Sequence, residues 1–229
     1  MSQLTPLADD VWVATQTLRF LGAEIGTRMT VLRLPDGALF LHSPIDPTPA
    51  LRAEVEAIGR PAFLIAPNRM HHLFVGDWHR AYPDAELHLA PGLADKRPDL
   101  GSAHLLGDEA AAGWRGHIDQ VAVQGFPMAN EVAFFHRPSA SLLLTDIAFH
   151  FTDDAPLLTR ILIRLSGSLN RLAPTAVEKL LVRDRNAFRV GLERILAWPF
   201  ERVIVTHGAV VESGGREQLR DGYRWLLKD

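Results

Sequence analysis

Residues 63–72 read Phe63-Leu64-Ile65-Ala66-Pro67-Asn68-Arg69-Met70-His71-His72, a continuous apolar run that turns polar at a proline. An unbroken apolar run bounded by turn chemistry marks a strand covered on both faces. Three further segments repeat the pattern. Ala38-Leu39-Phe40-Leu41 enters His42-Ser43, Leu142-Leu143-Leu144-Thr145 enters Asp146, and Val203-Ile204-Val205-Thr206 enters His207-Gly208. In layered α/β folds chemistry gathers at strand ends, because the sheet fixes the side chains while the loops leave room for a ligand. Four such ends, carrying imidazoles and a carboxylate, are the candidates to converge on one metal, though the pattern alone does not establish that they do.

Working outward, Arg28 to Leu34 and Ala38 to Leu41 flank Pro35-Asp36-Gly37 and predict an antiparallel hairpin, preceded by a strand at Val11 to Thr15. Pro49 to Ile58 has helical spacing and stops at Gly59. After the Phe63 strand the pattern predicts a helix from about His71 to Tyr82 and a strand at Glu86 to Leu89, then loops and a short helix over residues 91–117. Strands follow from Gln120, and Glu131 to His136 with Ser141 to Thr145 form a second hairpin. Helices are predicted from about residue 155 to Leu172, near Thr175 to Leu181, and from Asp184 to Trp198. A last buried strand at Arg202 to Thr206 precedes a closing helix, Gly214 to Leu227. Two β-rich halves with helices predict two sheets face to face, with helices outside, as one domain over residues 1–229.

Composition narrows the chemistry. The 229 residues hold 24 basic and 27 acidic side chains, a net charge of −3, which argues against a broad basic surface for nucleic acid. Cysteine is absent, so disulfides, thiolate catalysis, iron–sulfur clusters and cysteine zinc sites are excluded. The ten histidines and the carboxylates are what remains for metal chemistry. No stretch has the length and apolarity of a membrane span, and Asp9-Asp10 stand where a secretory core would begin, so the expectation is a cytoplasmic protein. There is no GxSxG elbow, P-loop or GxGxxG after a strand.

The order of elements, the Asp146 strand end, the His207-Gly208 strand end and the closing helix resemble the metallo-β-lactamase fold superfamily over nearly the whole chain. Within it the Pro67-Asn68…His71-His72 reading is similar to an uncharacterised branch labelled metal-dependent hydrolases or domains of unknown function. The resemblance implies an α/β fold, a four-layer αββα sandwich, with Asp146 as the bridging aspartate and His207 as the terminal histidine. The motif itself is degenerate. Aligned on Gly76, the HxHxDH positions hold Arg69, His71, Leu73 and Phe74, and Phe126 stands where the middle histidine belongs. The usual binuclear zinc site cannot be assembled from these residues.

His71, His72, Asp146 and His207 still offer three imidazoles and a carboxylate, enough for one zinc or iron ion. Adjacent histidines point in different directions on a regular element, which favours His71 over His72 as the ligand. His42 and His136 are substitute or supporting ligands on this reading, and His79, His88, His104, His117 and His150 are surface or structural. The expectation is a metal-dependent hydrolase with a rebuilt mononuclear site and a small-molecule substrate, with a homodimer as one option. The missing ligands set the alternative: a metal-free, non-catalytic ligand-binding or interaction module, with Phe74 and Phe126 filling the space of metal and water. Leu158, Ile161, Leu162, Leu165 and Leu169 share one face of their helix, which is read as packed in the core or on a second copy, ahead of a lid or membrane-surface role.

Overall fold

A computed structural model describes residues 3–20 and 22–227. The chain opens with Thr5–Ala8 (β1), Val11–Gln16 (β2), a small hairpin of Arg19–Phe20 (β3) and Ala23–Glu24 (β4), then Thr27–Arg33 (β5) and Ala38–His42 (β6). Helix α1 (Pro49–Ile58), strand β7 (Arg60–Ala66), helix α2 (Val75–Ala81) and strand β8 (Glu86–Leu89) alternate, and α3 (Leu93–Lys96) leads to the short strand β9 (His104–Leu105). The second half holds β10 (Ile118–Ala122), β11 (Val132–His136) and β12 (Ser141–Leu144). Helices α4 (Leu157–Leu165), α5 (Ala176–Leu181) and α6 (Arg185–Leu196) then precede β13 (Arg202–Val205), α7 (Gly215–Gly222) and α8 (Arg224–Leu227).

The larger sheet has the order β1-β2-β5-β6-β7-β8-β9, and the smaller β10-β11-β12-β13. Hairpin steps are antiparallel, whereas β6–β7, β7–β8 and β12–β13 are parallel pairs joined through helical crossovers. Strand alternation sorts the side chains into three cores. Phe40 and Ile65 of the larger sheet meet Phe134, Leu143 and Ile204 of the smaller, and Phe40 lies edge-on to Trp114 and Phe134 at 5.1 and 5.3 Å. The residues between them face outward. Leu39, Leu41 and Leu64 pack with Leu51, Val55 and Trp78 of α1 and α2, while Leu142, Leu144 and Val203 pack with Phe188, Leu192 and Leu219 of α6 and α7. The layers run helix, sheet, sheet, helix, the αββα sandwich expected from the sequence. Among the described residues no helix is long and apolar enough to cross a membrane.

Three helix boundaries differ from the sequence reading, each for a local reason. The helix expected from His71 begins at Val75, because Asn68 Oδ1 accepts the N–H groups of Met70 and His71 at 2.8 Å each and folds the segment into a turn. The helix expected to reach Leu172 stops at Leu165. There Gly167, at φ +74°, lets its own N–H and that of Ser168 close onto the carbonyls of Arg164 and Ile163. The closing helix is split at Tyr223, where Gly222 lies so close to Leu172 O that a Cβ would stand 2.1 Å away.

Placement of α4 in the core is corrected. Only Thr159 is buried, its Oγ1 donating to Glu24 O at 2.6 Å, while Leu157, Leu158, Ile161, Leu162 and Leu165 are exposed. The helix leans on β4, a strand of only two residues.

Candidate metal centre

The C-terminal ends of the parallel pairs β6–β7 and β12–β13 carry the polar residues singled out above, and the site is built where the two sheets' rims meet. His71 Nε2 lies 3.2 Å from Asp146 Oδ2 and 3.1 Å from His207 Nε2, and His207 Nε2 lies 3.5 Å from Asp146 Oδ1. All three side chains are less than one-tenth exposed. The far nitrogen of each imidazole is held by its own partner. His207 Nδ1 donates to the Gly26 carbonyl at 2.6 Å, so a neutral His207 presents its lone pair at Nε2. His71 Nδ1 shares a hydrogen bond of 2.8 Å with Ser43 Oγ, and Ser43 follows β6 in the left-handed region at φ +52°, a strained conformation for a side-chain-bearing residue.

Asp146 is held from below. Asn68 Nδ2 donates to Asp146 Oδ2 at 2.5 Å and to Thr145 Oγ1 at 2.8 Å. The Glu131 carboxylate accepts the backbone N–H groups of Thr145, Asp146 and Ile147 at 2.7, 2.6 and 3.1 Å, clamping the turn that ends β12. Burial opposes ionisation of Asp146, but the charges and hydrogen bonds of His71 and His207 outweigh it and hold the carboxyl far below the usual range. Glu131 is pushed the other way, by burial and then by the charge of Asp146. The end of β13 is fixed by Arg28 of β5, whose guanidinium reaches across the sheets to donate to Val205 O and, at 2.7 Å, to Gly208 O. Gly208, at φ +95°, is required there: a Cβ would stand 2.2 Å from His150 O.

Of the four ligands expected from the sequence, His71, Asp146 and His207 come together and His72 does not. The His72 ring turns to Arg97, whose Nη1 donates to Nδ1 at 2.9 Å and to the His72 carbonyl at 3.1 Å. Burial, then the charges of Lys96 and Arg97, lower its pKa to about 4. His136, considered as a substitute, lies at the wrong end: β11 runs antiparallel to β12, so His136 pairs with Ser141 at the start of that strand, and its Nδ1 bonds Ser139 Oγ at 2.7 Å. His42 is buried, packs edge-on to Phe134 at 5.5 Å, and has no hydrogen-bond partner on either ring nitrogen.

Nor do the aromatic residues at the missing ligand positions fill the site. Phe126 packs against Phe188 in the outer core of the smaller sheet, and Phe74 joins the core under α2. The sequence reading passed over Asn68, Glu131, Ser43 and Arg28. The Pro67-Asn68 step is a turn signal for the first and the end of the Ala38 strand a signal for Ser43, while Glu131 and Arg28 are joined to the site only by contacts between distant parts of the chain.

His71, Asp146 and His207 therefore place ligand atoms close enough to hold one metal ion. Comparisons agree on the fold. A metallo-β-lactamase from Pontibacter korlensis superposes with a TM-score of 0.66 at 13% identity, covering 100% of both chains. The Flv1 flavodiiron core from Synechocystis sp. PCC6803 gives 0.69 at 14% identity, over 98% of this chain and 60% of the other. The metallo-β-lactamase FIM-1 from Pseudomonas aeruginosa, in its mono-zinc form, gives 0.62 at 10% identity, over 98% and 92%. No curated protein matches the chain in sequence. A family model described as "Domain of unknown function (DUF4336)" matches residues 8–167, well over half of the 229. The chain has the metallo-β-lactamase fold and belongs to the DUF4336 family.

Proposed function

We propose that the protein is a metal-dependent hydrolase with a mononuclear site held by His71, Asp146 and His207. The observation that carries this reading is the convergence of two imidazoles on one carboxylate: the Nε2 atoms are 3.1 Å apart, and the two Asp146 oxygens lie 3.2 Å from His71 and 3.5 Å from His207. Ligands about 2.0–2.1 Å from a tetrahedral zinc stand about 3.3 Å apart, close to the spacings found here. Two imidazoles and a carboxylate suit zinc or iron, and FIM-1 in mono-zinc form is an example of this fold with one zinc. A zinc or iron ion bound there supplies Lewis acidity and brings the pKa of water down towards about 7.

The chain's own residues do the rest. Gly26 and Ser43 orient the two imidazoles so that both Nε2 atoms face one point. His71 and His207 favour the Asp146 anion, and Asn68 and Glu131 fix its position in a buried setting, where its charge acts with little screening. Met70 and Leu73, exposed beside the histidine turn, offer apolar contact to a small ester, amide, thioester or phosphoester.

A second reading, a metal-free ligand-binding module, is favoured by one observation: His71 is already hydrogen-bonded to Ser43 and in contact with Asp146 and His207. Metal analysis of untagged protein grown with zinc, iron and manganese separates the two. The hydrolase reading expects a transition metal that depends on Asp146, with one equivalent per chain fewer in Asp146→Ala than in wild type; the same metal content in both proteins refutes it.

A further inference from the structure

We propose that Glu86, His88 and His104 form a second transition-metal site, a zinc-binding clip on the edge of the larger sheet, sharing no residue with the first. Glu86 and His88 are two apart on β8 and so project from one face of it. His104 is the register partner of His88 on the parallel strand β9. Glu86 Oε2 lies 3.2 Å from His88 Nε2 and 3.9 Å from His104 Nε2, and one ligand atom from each residue falls within 4.8 Å of the other two. The imidazoles are nearly parallel, at 22°, with centroids 4.8 Å apart. Two nitrogens and a carboxylate oxygen at these spacings are a short side-chain adjustment from the edges of a zinc tetrahedron, about 3.3 Å, with the fourth position open to water.

The surroundings favour an ion over a plain hydrogen bond. His88 is fixed from behind: its ring lies edge-on to Trp114 at 4.7 Å and tilted to Phe63 at 6.1 Å, and its side chain is 3% exposed. Glu86 and His104 are 51% and 64% exposed, so the open side of the cluster faces solvent and an ion can enter. The structural consequence is local. β9 holds the sheet through only two residue pairs, His88 with His104 and Leu89 with Leu105. A metal bridging β8 and β9 closes the loop between them and secures a short edge strand.

The test uses untagged full-length protein carrying His71→Ala and His207→Ala, stripped with chelator, dialysed and titrated calorimetrically with zinc chloride. One zinc per chain is expected. Adding His104→Ala, or Glu86→Gln, is expected to weaken that binding at least about 100-fold, since loss of an outer-shell partner alone costs 10–100-fold. Both residues are largely exposed, so circular dichroism should be unchanged. The inference is overturned if the double variant binds no zinc, or if His104→Ala leaves stoichiometry and affinity as they were. Should the double variant not fold, the same titration of His104→Ala in the otherwise native chain decides, with loss of one equivalent expected and no loss refuting. Failure of the first site would appear differently: the native chain and the double variant would then bind the same single zinc.

Discussion

His42 offers a direct measure of what the site costs the fold. Its ring is 1% exposed with neither nitrogen hydrogen-bonded, and burial, then the charge of His71, lowers its pKa to about 3. An unfolded histidine titrates near 6.5. The folded pKa is the lower one, so the stability His42 contributes is complete above about pH 6.5 and is lost as pH falls towards 3. At pH 5 the unfolded chain has taken up its proton and the folded chain has not. The gap of about 1.5 pH units below 6.5 amounts to about 2 kcal/mol at 1.36 kcal/mol per unit. His42→Leu removes the titration and fills the same space with carbon. The variant is therefore expected to lose about 2 kcal/mol less stability than wild type between pH 8 and pH 5. At pH 8 it should match or exceed wild type, because two unpaired buried nitrogens have gone. Urea unfolding of both proteins, in chelator so that metal binding does not enter, gives the difference. Parallel pH dependences in the two proteins would refute the reasoning.

Glu131→Ala leaves the N–H groups of Thr145, Asp146 and Ile147 without their acceptor, and at about 1–3 kcal/mol for each orphaned buried group the variant should lose at least about 3 kcal/mol by urea unfolding. A loss under 1 kcal/mol would show that Glu131 does not clamp the turn. On α4, Leu157→Gln with Leu165→Gln alters side chains that are 65% and 81% exposed, so the melting temperature of dilute protein should stay within the effect of about 0.5 kcal/mol. A drop corresponding to 2 kcal/mol or more would mean that this face is covered in solution.

The αββα layering was legible because it rests on local signals: apolar runs of strand length, Pro-Asp-Gly and Arg-Pro-Ser-Ala turns, and helical spacing between them. The site was half legible for the same reason. Asp146 and His207 directly follow buried strands, so knowing the strand places the residue. His71 and His72 follow a turn instead, and their directions depend on Asn68 capturing two backbone N–H groups and on Arg97 taking the second ring. Neither contact leaves a periodic trace. Glu131 looked like the first residue of a strand and is a clamp 14 to 16 positions from its partners. His88 lies on the face opposite Leu87 and Leu89, and its pairing with His104 depends on β9, which is too short to read from the sequence.

What separates a site from a well-satisfied core is the cost of its contents. Asp146, Glu131, His71, His207 and His42 lie together at the rim of two sheets, two of them carboxylates close enough for the charge of one to raise the pKa of the other. A polar cluster needed only to join the sheets would be cheaper as hydrocarbon, since well-packed apolar replacements of buried ion pairs are commonly neutral or stabilising. Ser43 adds backbone strain at the same point, and His42 adds two unpaired nitrogens. Beside them the Phe40–Phe134 contact between the sheets and the packing of α6 and α7 on the smaller sheet are apolar and buried. Expense of this kind, gathered at the strand ends where two imidazoles face one carboxylate, is what the proposed metal centre requires and what a merely structural contact does not explain.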